Sequence, residues 1–366
     1  MSVIASAIGP VQAPAKINLA LHVVGQRDDG YHLLESVAVF TRFGDRVTVD
    51  RAEADEFVVT GPYADAIPID ESNLVLRARD ALRAALPSGA GFPVSISLEK
   101  NLPPASGIGG GSSDAAATLK ALERLWGGTD KISLEEIGLP LGADVPMCLS
   151  SSPALVSGIG ENVERIPNFP PLFIVLVNPG VEVSTPAVFS RLKVKNNPGL
   201  GRPVFDGRST GASEVRPPLR FASQTAYPPL DGGEEAPAAM LGTLPLPHEN
   251  EGEVAREARR SGGYSAMSDR PVGGREVLHA WLRETRNDLQ APARELAPVI
   301  GDTLEALRAT QAQFFRMSGS GATCFGLYDT NREAEAAAAA IRRVQPGWFV
   351  VATQTFAASG EHHAGN

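Results

Sequence analysis

Cysteine is almost missing from this chain: there are two in 366 residues, Cys148 and Cys324, with no histidine near either in sequence. That excludes a disulfide framework and a zinc pattern, and it suits two buried thiols in a reducing compartment. Positive charge is also short, with 33 Lys and Arg against 42 Asp and Glu and a net charge of -9. A broad nucleic-acid footprint needs a basic face, so nucleic acid is excluded as a partner. A small anion is not excluded, because a few backbone amides and one lysine suffice to hold it. No apolar run approaches the roughly 18 residues of a membrane span, and "MSVIASAIGPVQAPAK" lacks the basic region of an export signal. The expectation is a soluble, cytoplasmic protein with no membrane partner.

What is present is an ordinary globular composition, 43% apolar and 20% charged, in a chain long enough for two domains. "KINLALHVVG", "YHLLESVAVF" and "DRVTVD" read as three strands, and "FPVSISLEK" as a fourth. "NLVLRARDALRAAL" has helical spacing behind a Ser72 or Asn73 cap, and "DAAATLKALERLW" is a helix with a small-residue face. "LFIVLVNPG" reads as a buried strand, "NREAEAAAAAIRRV" as a helix and "WFVVATQTF" as a last strand. From about 191 to 274 periodicity is lost and Gly and Pro accumulate, which predicts a disordered insertion in a surface loop, with "EVAREARRSGG" a short helix inside it.

Between the fourth strand and the small-residue helix lies "LPPASGIGGGSSDAAATL". A helix N-terminus leaves unpaired N–H groups and a partial positive charge, and glycines before it let the backbone wrap an anion. The run has no Gly-Lys-Ser/Thr and fails the dinucleotide spacing, so it is neither the common P-loop nor a dinucleotide loop. Taken singly, other candidates are weak. Lys16 opening an apolar strand is ordinarily an edge charge, Asp144 in "LGADVPMCL" an ordinary turn or cap, and Tyr31 and His32 ordinary packing residues.

Taken together they match a family. "PPASGIGGGSSDAA", "PAKINLALHVVGQRDDGYHLLESV" and "MSGSGATCFGLY" resemble the three motifs of the small-molecule kinases that include galactokinase, homoserine kinase and mevalonate kinase. "GQRDDGYH", with "SNLVLRA", "LGADVPMCL" and "NDLQAPARELAPVI", is most similar to the branch that phosphorylates 4-diphosphocytidyl-2-C-methyl-D-erythritol. The resemblance spans all but the insertion and the termini.

It implies a two-domain α/β (α+β) fold: an N-terminal kinase domain over 1–160 and a C-terminal ferredoxin-like domain over 161–366, with the active site in the cleft between them. It also implies ATP-dependent phosphorylation of the substrate's 2-hydroxyl, in the non-mevalonate route to isoprenoids, by a monomer or homodimer. Such a transfer needs a phosphate cradle, charge compensation and removal of the hydroxyl proton. By the resemblance, Pro104, Ala105, Ser106, Gly107, Ile108, Gly109, Gly110, Gly111, Ser112 and Ser113 form the cradle, with Ser112 or Ser113 as ligands of an ATP-bound Mg²⁺. Asp144 is the base, and Lys16 is the cation beside it that favours its charged form. Asn73 and Lys100 line the adenine pocket, while Gly319, Ser320 and Gly321 close the cleft from the second domain. Asn18, Tyr31, His32, Thr185 and Phe189 receive the substrate, the aromatic rings stacking on cytosine. The stretch between the loop helix and Asp144 is shorter than the family's, which implies a truncated helix there.

Two rival readings stay open on the residues alone: another alcohol kinase of the same superfamily, and a non-catalytic nucleotide binder that kept the fold. If the insertion is a surface loop, its deletion leaves a folded enzyme. A collapse of the melting temperature in the deleted chain would show that the segment belongs to the core.

Overall fold

A computed structural model describes residues 7–127, 129, 132–200 and 274–358. The sequence expects three strands between residues 13 and 49, but the backbone runs as two long ones, β1 (Ala7–Gln26) and β2 (His32–Arg51), paired antiparallel throughout. The two stretches read separately as "YHLLESVAVF" and "DRVTVD" are thus one strand, and where they join, its pairing with β1 shifts register opposite Pro14 and Lys16. The intervening "TRFG" stays in the strand, and the shift absorbs its extra residues as a bulge.

β2 organises the first sheet. One edge pairs with β1. The other takes β4 (Val94–Glu99) along residues 46–51 and β5 (Ala154–Gly158) along residues 34–38. β3 (Glu56–Thr60) extends the sheet beyond β4, and β6 (Asn162–Arg165) beyond β5. The sequence-expected domain boundary at 160 therefore falls inside the β5–β6 hairpin, because Gly158 and Gly160, both at positive φ, make a turn there rather than a linker. α1 (Leu74–Ala85), α2 (Gly110–Trp126), α3 (Leu134–Gly138) and α4 (Val145–Ser150) cover one face of this sheet. The small side chains of Ala115, Ala116, Ala117 and Ala121 are buried on α2 and let it lie close to β1 and β2. α3 is only five residues long, the short helix expected where the sequence is truncated.

The second sheet is antiparallel in the order β10-β7-β9-β8, from β7 (Phe173–Asn178), β8 (Phe314–Met317), β9 (Cys324–Tyr328) and β10 (Phe349–Gln354). α5 (Thr185–Ser190), α6 (Gly274–Glu284), α7 (Gln290–Leu296), α8 (Val299–Ala309) and α9 (Asn331–Val344) surround it. α9 opens with a full capping box, Thr330 accepting from the Glu333 N–H while Glu333 accepts from the Thr330 N–H. Most of the expected insertion, and the whole of the expected helix "EVAREARRSGG", lie outside the described residues. Its first ten residues do not. Residues 192–200 have neither helix nor strand, yet they are tied to β1 and β2, with the Asn197 N–H on the Val23 carbonyl at 3.1 Å and the Leu200 N–H on Glu35 at 2.5 Å.

A shared core joins the two sheets. Ala15, Ile17 and Leu19 of β1 and Val37 and Val39 of β2 pack with Ile174, Leu176, Phe325 and Leu327 of the second sheet. The chain end returns as well: the Phe356 N–H bonds to the Phe40 carbonyl at 2.8 Å. Phe325→Ala, in the middle of this shared layer, is expected to lower unfolding stability by about 3–5 kcal/mol. Chemical denaturation should show it as a shifted midpoint at unchanged slope.

Candidate active site

The strand that enters "LPPASGIGGGSSDAA" is β4 and the helix that leaves it is α2, which begins at Gly110, four residues earlier than the alanine pattern suggests. Gly110, Gly111, Ser112 and Ser113 are therefore the first turn of the helix rather than loop. The cap residue is Gly109, left-handed at φ 67°, and it supplies no side-chain bond to the first turn. A helix start without a side-chain cap leaves its first N–H groups for another partner. Space is also tight here: a Cβ on Gly109 would stand 3.2 Å from Cβ of Lys16. The Lys16 N–H in turn donates to the Ile108 carbonyl at 2.8 Å, so loop and strand β1 are joined at this point.

Lys16 Nζ lies 2.5 Å from Asp144 Oδ2, and the side chains are 9% and 35% exposed, so the carboxylate is reachable from solvent while the ammonium is nearly covered. Asp144 stands at the N-cap of α4 but makes no side-chain cap bond there, which leaves its carboxylate to Lys16 and the open side. Ser112 is half-buried, and its hydroxyl lies beside Gly142, in the turn just before Asp144. Behind them Cys148 is buried, and burial together with the Asp144 charge pushes its thiol up to about 12. It is an inert packing residue, as its sequence context suggests.

The second glycine turn meets the first directly. A Cβ on Gly107 would fall 2.6 Å from the Gly321 carbonyl, and one on Gly319 would fall 2.7 Å from the Gly107 carbonyl. The Thr323 N–H donates to the Ser106 carbonyl at 3.2 Å, and Ser318 Oγ to the Gly107 carbonyl at 3.3 Å. Asn18 joins the same place. Its N–H donates to Ser318 Oγ at 3.0 Å and its side-chain amide to Ser36 Oγ at 2.7 Å. Thr185 and Ser320 share a hydroxyl–hydroxyl bond of 2.7 Å, so α5 is tied to the turn.

Further along α5, Phe189 stacks on His32 with ring centroids 4.8 Å apart and planes 16° from parallel. Two of the rings expected to receive the cytidine are thus already face to face. His32 Nδ1 is buried and has no hydrogen-bond partner. Burial, then the charge of Lys195, lowers the His32 pKa, so the ring is neutral. Lys195 also lines an open cavity of about 560 Å³ with Gln26, Leu33 and Lys193. Tyr31 is half-buried beside His32, its N–H donating to Asp29 at 3.2 Å. Pro104 is half-buried and Ala105 exposed at the rim of the loop, and Ala105 holds a positive φ of 47°.

Several expected ligand-facing side chains are committed elsewhere. Ser113 is buried, with its hydroxyl donating to the Pro14 carbonyl at 2.7 Å, so its side chain faces β1. Ser106 is likewise turned inward, 2.5 Å from the Pro103 carbonyl. Asn73 caps α1, accepting from the Val75 N–H at 2.9 Å and donating to the Pro68 carbonyl at 2.7 Å. Lys100 is buried between two carboxylates, Asp45 at 2.5 Å and Asp114 at 2.7 Å. Burial alone would lower the Lys100 pKa, but the two carboxylates outweigh it and hold it above the ordinary value. Burial raises the Asp114 carboxyl well above the usual range. Asp45 also accepts the N–H groups of Asn101 and Leu102 at 2.6 and 2.7 Å. The three side chains clamp β2, the end of β4 and the start of α2 under the glycine loop. The reason lies in position: Lys100 directly follows β4, whose alternation continues to point it into the core, where only a paired charge is tolerated.

Sequence reasoning missed Asp45, Asp114, Ser318, Asn287 and Arg316. Asn287 donates to the Met317 and Gly319 carbonyls, both at 2.8 Å, and so shapes the second turn. Arg316 is buried and donates to the carbonyls of Leu19, Leu282 and Thr285. Burial brings its guanidinium down to about 10, still charged at neutral pH. The visible signals were the "NDLQAPARELAPVI" and "MSGSG" matches, which mark the stretches without saying which atoms they hold.

Comparison with known proteins gives the family. The GHMP kinases N terminal domain matches residues 73–152 and the GHMP kinases C terminal domain matches residues 275–347. A 4-diphosphocytidyl-2-C-methyl-D-erythritol kinase from Mesorhizobium japonicum is 45% identical over 350 residues, covering 95% of this chain and 96% of the relative. One from Sinorhizobium medicae is 45% identical over 357 residues, covering 96% of each. The crystal structure of a 4-(cytidine 5'-diphospho)-2C-methyl-D-erythritol kinase superposes with a TM-score of 0.63 at 27% identity, over 94% of this chain and 98% of that one. A homoserine kinase from Cytophaga hutchinsonii, 17% identical with a TM-score of 0.56 over 98% of each chain, shares the fold. Among the described residues no helix is long and apolar enough to cross a membrane.

The clamp under the loop yields a stability test. Lys100→Met leaves two buried carboxylates facing each other and is expected to cost about 3–5 kcal/mol. Adding Asp45→Asn, which removes the carboxylate that stays charged, should recover a large part of that loss. If the double variant unfolds at the same denaturant concentration as the single, the clamp is not what holds this corner.

Proposed function

The chain belongs to the 4-diphosphocytidyl-2-C-methyl-D-erythritol kinases of the GHMP kinase family, and from that membership we propose how its residues divide the work. The reaction is phosphorylation of the substrate's 2-hydroxyl, the step these kinases carry out in the non-mevalonate isoprenoid route, and ATP is the phosphoryl donor of the family. The observation that carries the assignment of roles is the Lys16–Asp144 pair at 2.5 Å, set against the N-terminus of α2.

In this reading the triphosphate lies on the uncapped first turn of α2, held by the N–H groups of Gly110, Gly111 and Ser112 rather than by side chains. Gly319, Ser320 and Gly321 close the cradle from the second domain. Lys16 points its ammonium between the transferring phosphoryl group and the acceptor oxygen, where negative charge builds. Asp144 receives the hydroxyl proton, since its carboxylate is oriented by Lys16 and open on the other side. Of the two serines expected to meet Mg²⁺, the half-buried Ser112 is assigned the contact, Ser113 being buried against β1. When carried in on the nucleotide, the ion would supply neutralisation of phosphate charge.

The substrate's cytosine enters at His32 and Phe189, which must part or slide to admit it. Stacking would then replace stacking, and the unpartnered His32 Nδ1 would meet the polar edge of the base. Asn18 lies two residues from Lys16 on β1 with its Oδ1 near the Gly319 turn, and it is assigned to the erythritol moiety through that oxygen, its amide N–H being held by Ser36. The lysines of the neighbouring cavity, Lys193 and Lys195, carry the sign that suits a diphosphate. Asn73 and Lys100 act on the nucleotide only through the backbone they hold.

Asp144→Asn tests the central role. Turnover should fall by about 10²–10⁴-fold while nucleotide affinity, measured by calorimetry, changes little. Unchanged turnover would remove Asp144 from the chemistry. Offering homoserine, mevalonate and galactose alongside the cytidine substrate separates this assignment from the rest of the superfamily, since turnover of one of those three alone would overturn it.

A further inference from the structure

His22 lies buried on β1, the strand that carries Lys16 and Asn18, and nothing in the chemistry above uses it. Its ring stands between the two pieces of chain that flank residues 201–273. Nε2 accepts the backbone N–H of Arg286 at 3.1 Å, which leaves the ring proton on Nδ1. Nδ1 then donates to the Pro198 carbonyl at 3.2 Å, and the same carbonyl accepts from the Arg286 guanidinium at 2.6 Å. Next to the ring, Asp288 accepts from the Val23 N–H at 2.7 Å and from the Asn197 side chain at 3.1 Å. Between Arg286 and Asp288 sits Asn287, which holds the Met317 and Gly319 carbonyls.

We propose that His22, neutral and protonated on Nδ1, is a positioning residue for phosphoryl transfer: it staples residues 197–198 to residues 286–288 on the edge of β1 and so sets Asn287 and the Gly319 turn. The inference rests on the reading of that turn as part of the nucleotide cradle.

The charges that face the ring are Arg286 and Asp288 from the segment after α6, Arg316 from β8, and Glu35, its cross-strand partner on β2. Glu35 is engaged by the Leu200 N–H. Burial first, then Arg286, lowers the His22 pKa, with the Pro198 carbonyl and Asp288 opposing. In the unfolded chain the ring takes its proton near pH 6.5. The folded clamp resists until lower pH, so its contribution is present above about pH 6.5 and is lost on acidification. Protonation puts a hydrogen on Nε2, turned toward the Arg286 N–H, and the staple opens.

The test uses the full chain with kcat, KM and melting temperature measured across pH, and nitrogen-15 spectra of the histidines. The wild type should show His22 neutral with its proton on Nδ1, and an acid-side loss of kcat. His22→Leu should lower kcat by about tenfold at neutral pH and erase that acid-side ionisation. His22→Gln keeps a donor and an acceptor, so it should stay within about threefold of wild type while also losing the ionisation. If His22→Leu does not fold, the His22→Gln pH profile decides. A variant that melts lower yet keeps wild-type kcat and an unchanged acid limb overturns the proposal, as does a proton on Nε2 at neutral pH. If the wild type does not phosphorylate the substrate at all, the kinase reading fails instead, and the tautomer still decides the clamp.

Discussion

The outer edge of β1 is the constraint on which the rest of this molecule depends. A strand edge presents N–H and C=O groups that must be bonded if they are buried. Here the outward groups find partners in several separate segments. Lys16 meets the Ile108 carbonyl, Asn18 meets Ser318, Leu19 meets Arg316, Leu21 meets Arg286 and Asp288, and Val23 meets Asp288 and Asn197. These partners belong to the first glycine loop, the second glycine turn, and the chain on both sides of residues 201–273. One strand therefore references the first glycine loop, the second domain and the flanks of the long segment to a single line. Because the bonds are to backbone, the side chains of Lys16 and Asn18 inherit that rigidity. Burying the edge and building the site are the same act.

Two sets of lysine and aspartate sit near the loop, and solvent access separates their roles. Lys100 with Asp45 and Asp114 is fully enclosed, with two carboxylates to one ammonium, and its geometry holds strand ends and a helix start together. Buried ion pairs of this kind add little net stability relative to apolar packing, but breaking one is costly, so they specify arrangement. Lys16 with Asp144 is half open. A pair with one face toward solvent can exchange a proton with a substrate, which an enclosed triad cannot. The same residue types at similar distances are enclosed scaffold in one place and, in the proposed mechanism, the reacting pair in the other.

Much of this was legible beforehand, and the errors have a common form. The strand–loop–helix setting of "LPPASGIGGGSSDAA" could be read because glycine and helical periodicity report backbone conformation directly. Lys16 and Asp144, 128 residues apart, came together only through the family resemblance, and the structure places them in contact. Ser113, Ser106, Asn73 and Lys100 lie in or beside the motifs, and in the folded chain each satisfies a buried carbonyl, caps a helix or neutralises a buried charge. A polar residue in a motif has two possible partners, ligand and backbone, and sequence does not say toward which it points.

By itself the sequence determined the class of chemistry. A helix start preceded by glycines makes an anion site wherever it is placed, and "GQRDDGYH" with the Lys-Ile-Asn-Leu strand narrowed it to one branch of kinases. These are local properties, set by backbone freedom and residue order within a few turns. Tertiary structure alone decided which polar groups face the cleft, that the first sheet runs past residue 160 to Arg165, and that residues 197–200 belong to the scaffold. Those outcomes depend on which buried donors and acceptors are left over once β1 is packed. That tally can be closed only when every distant segment has arrived.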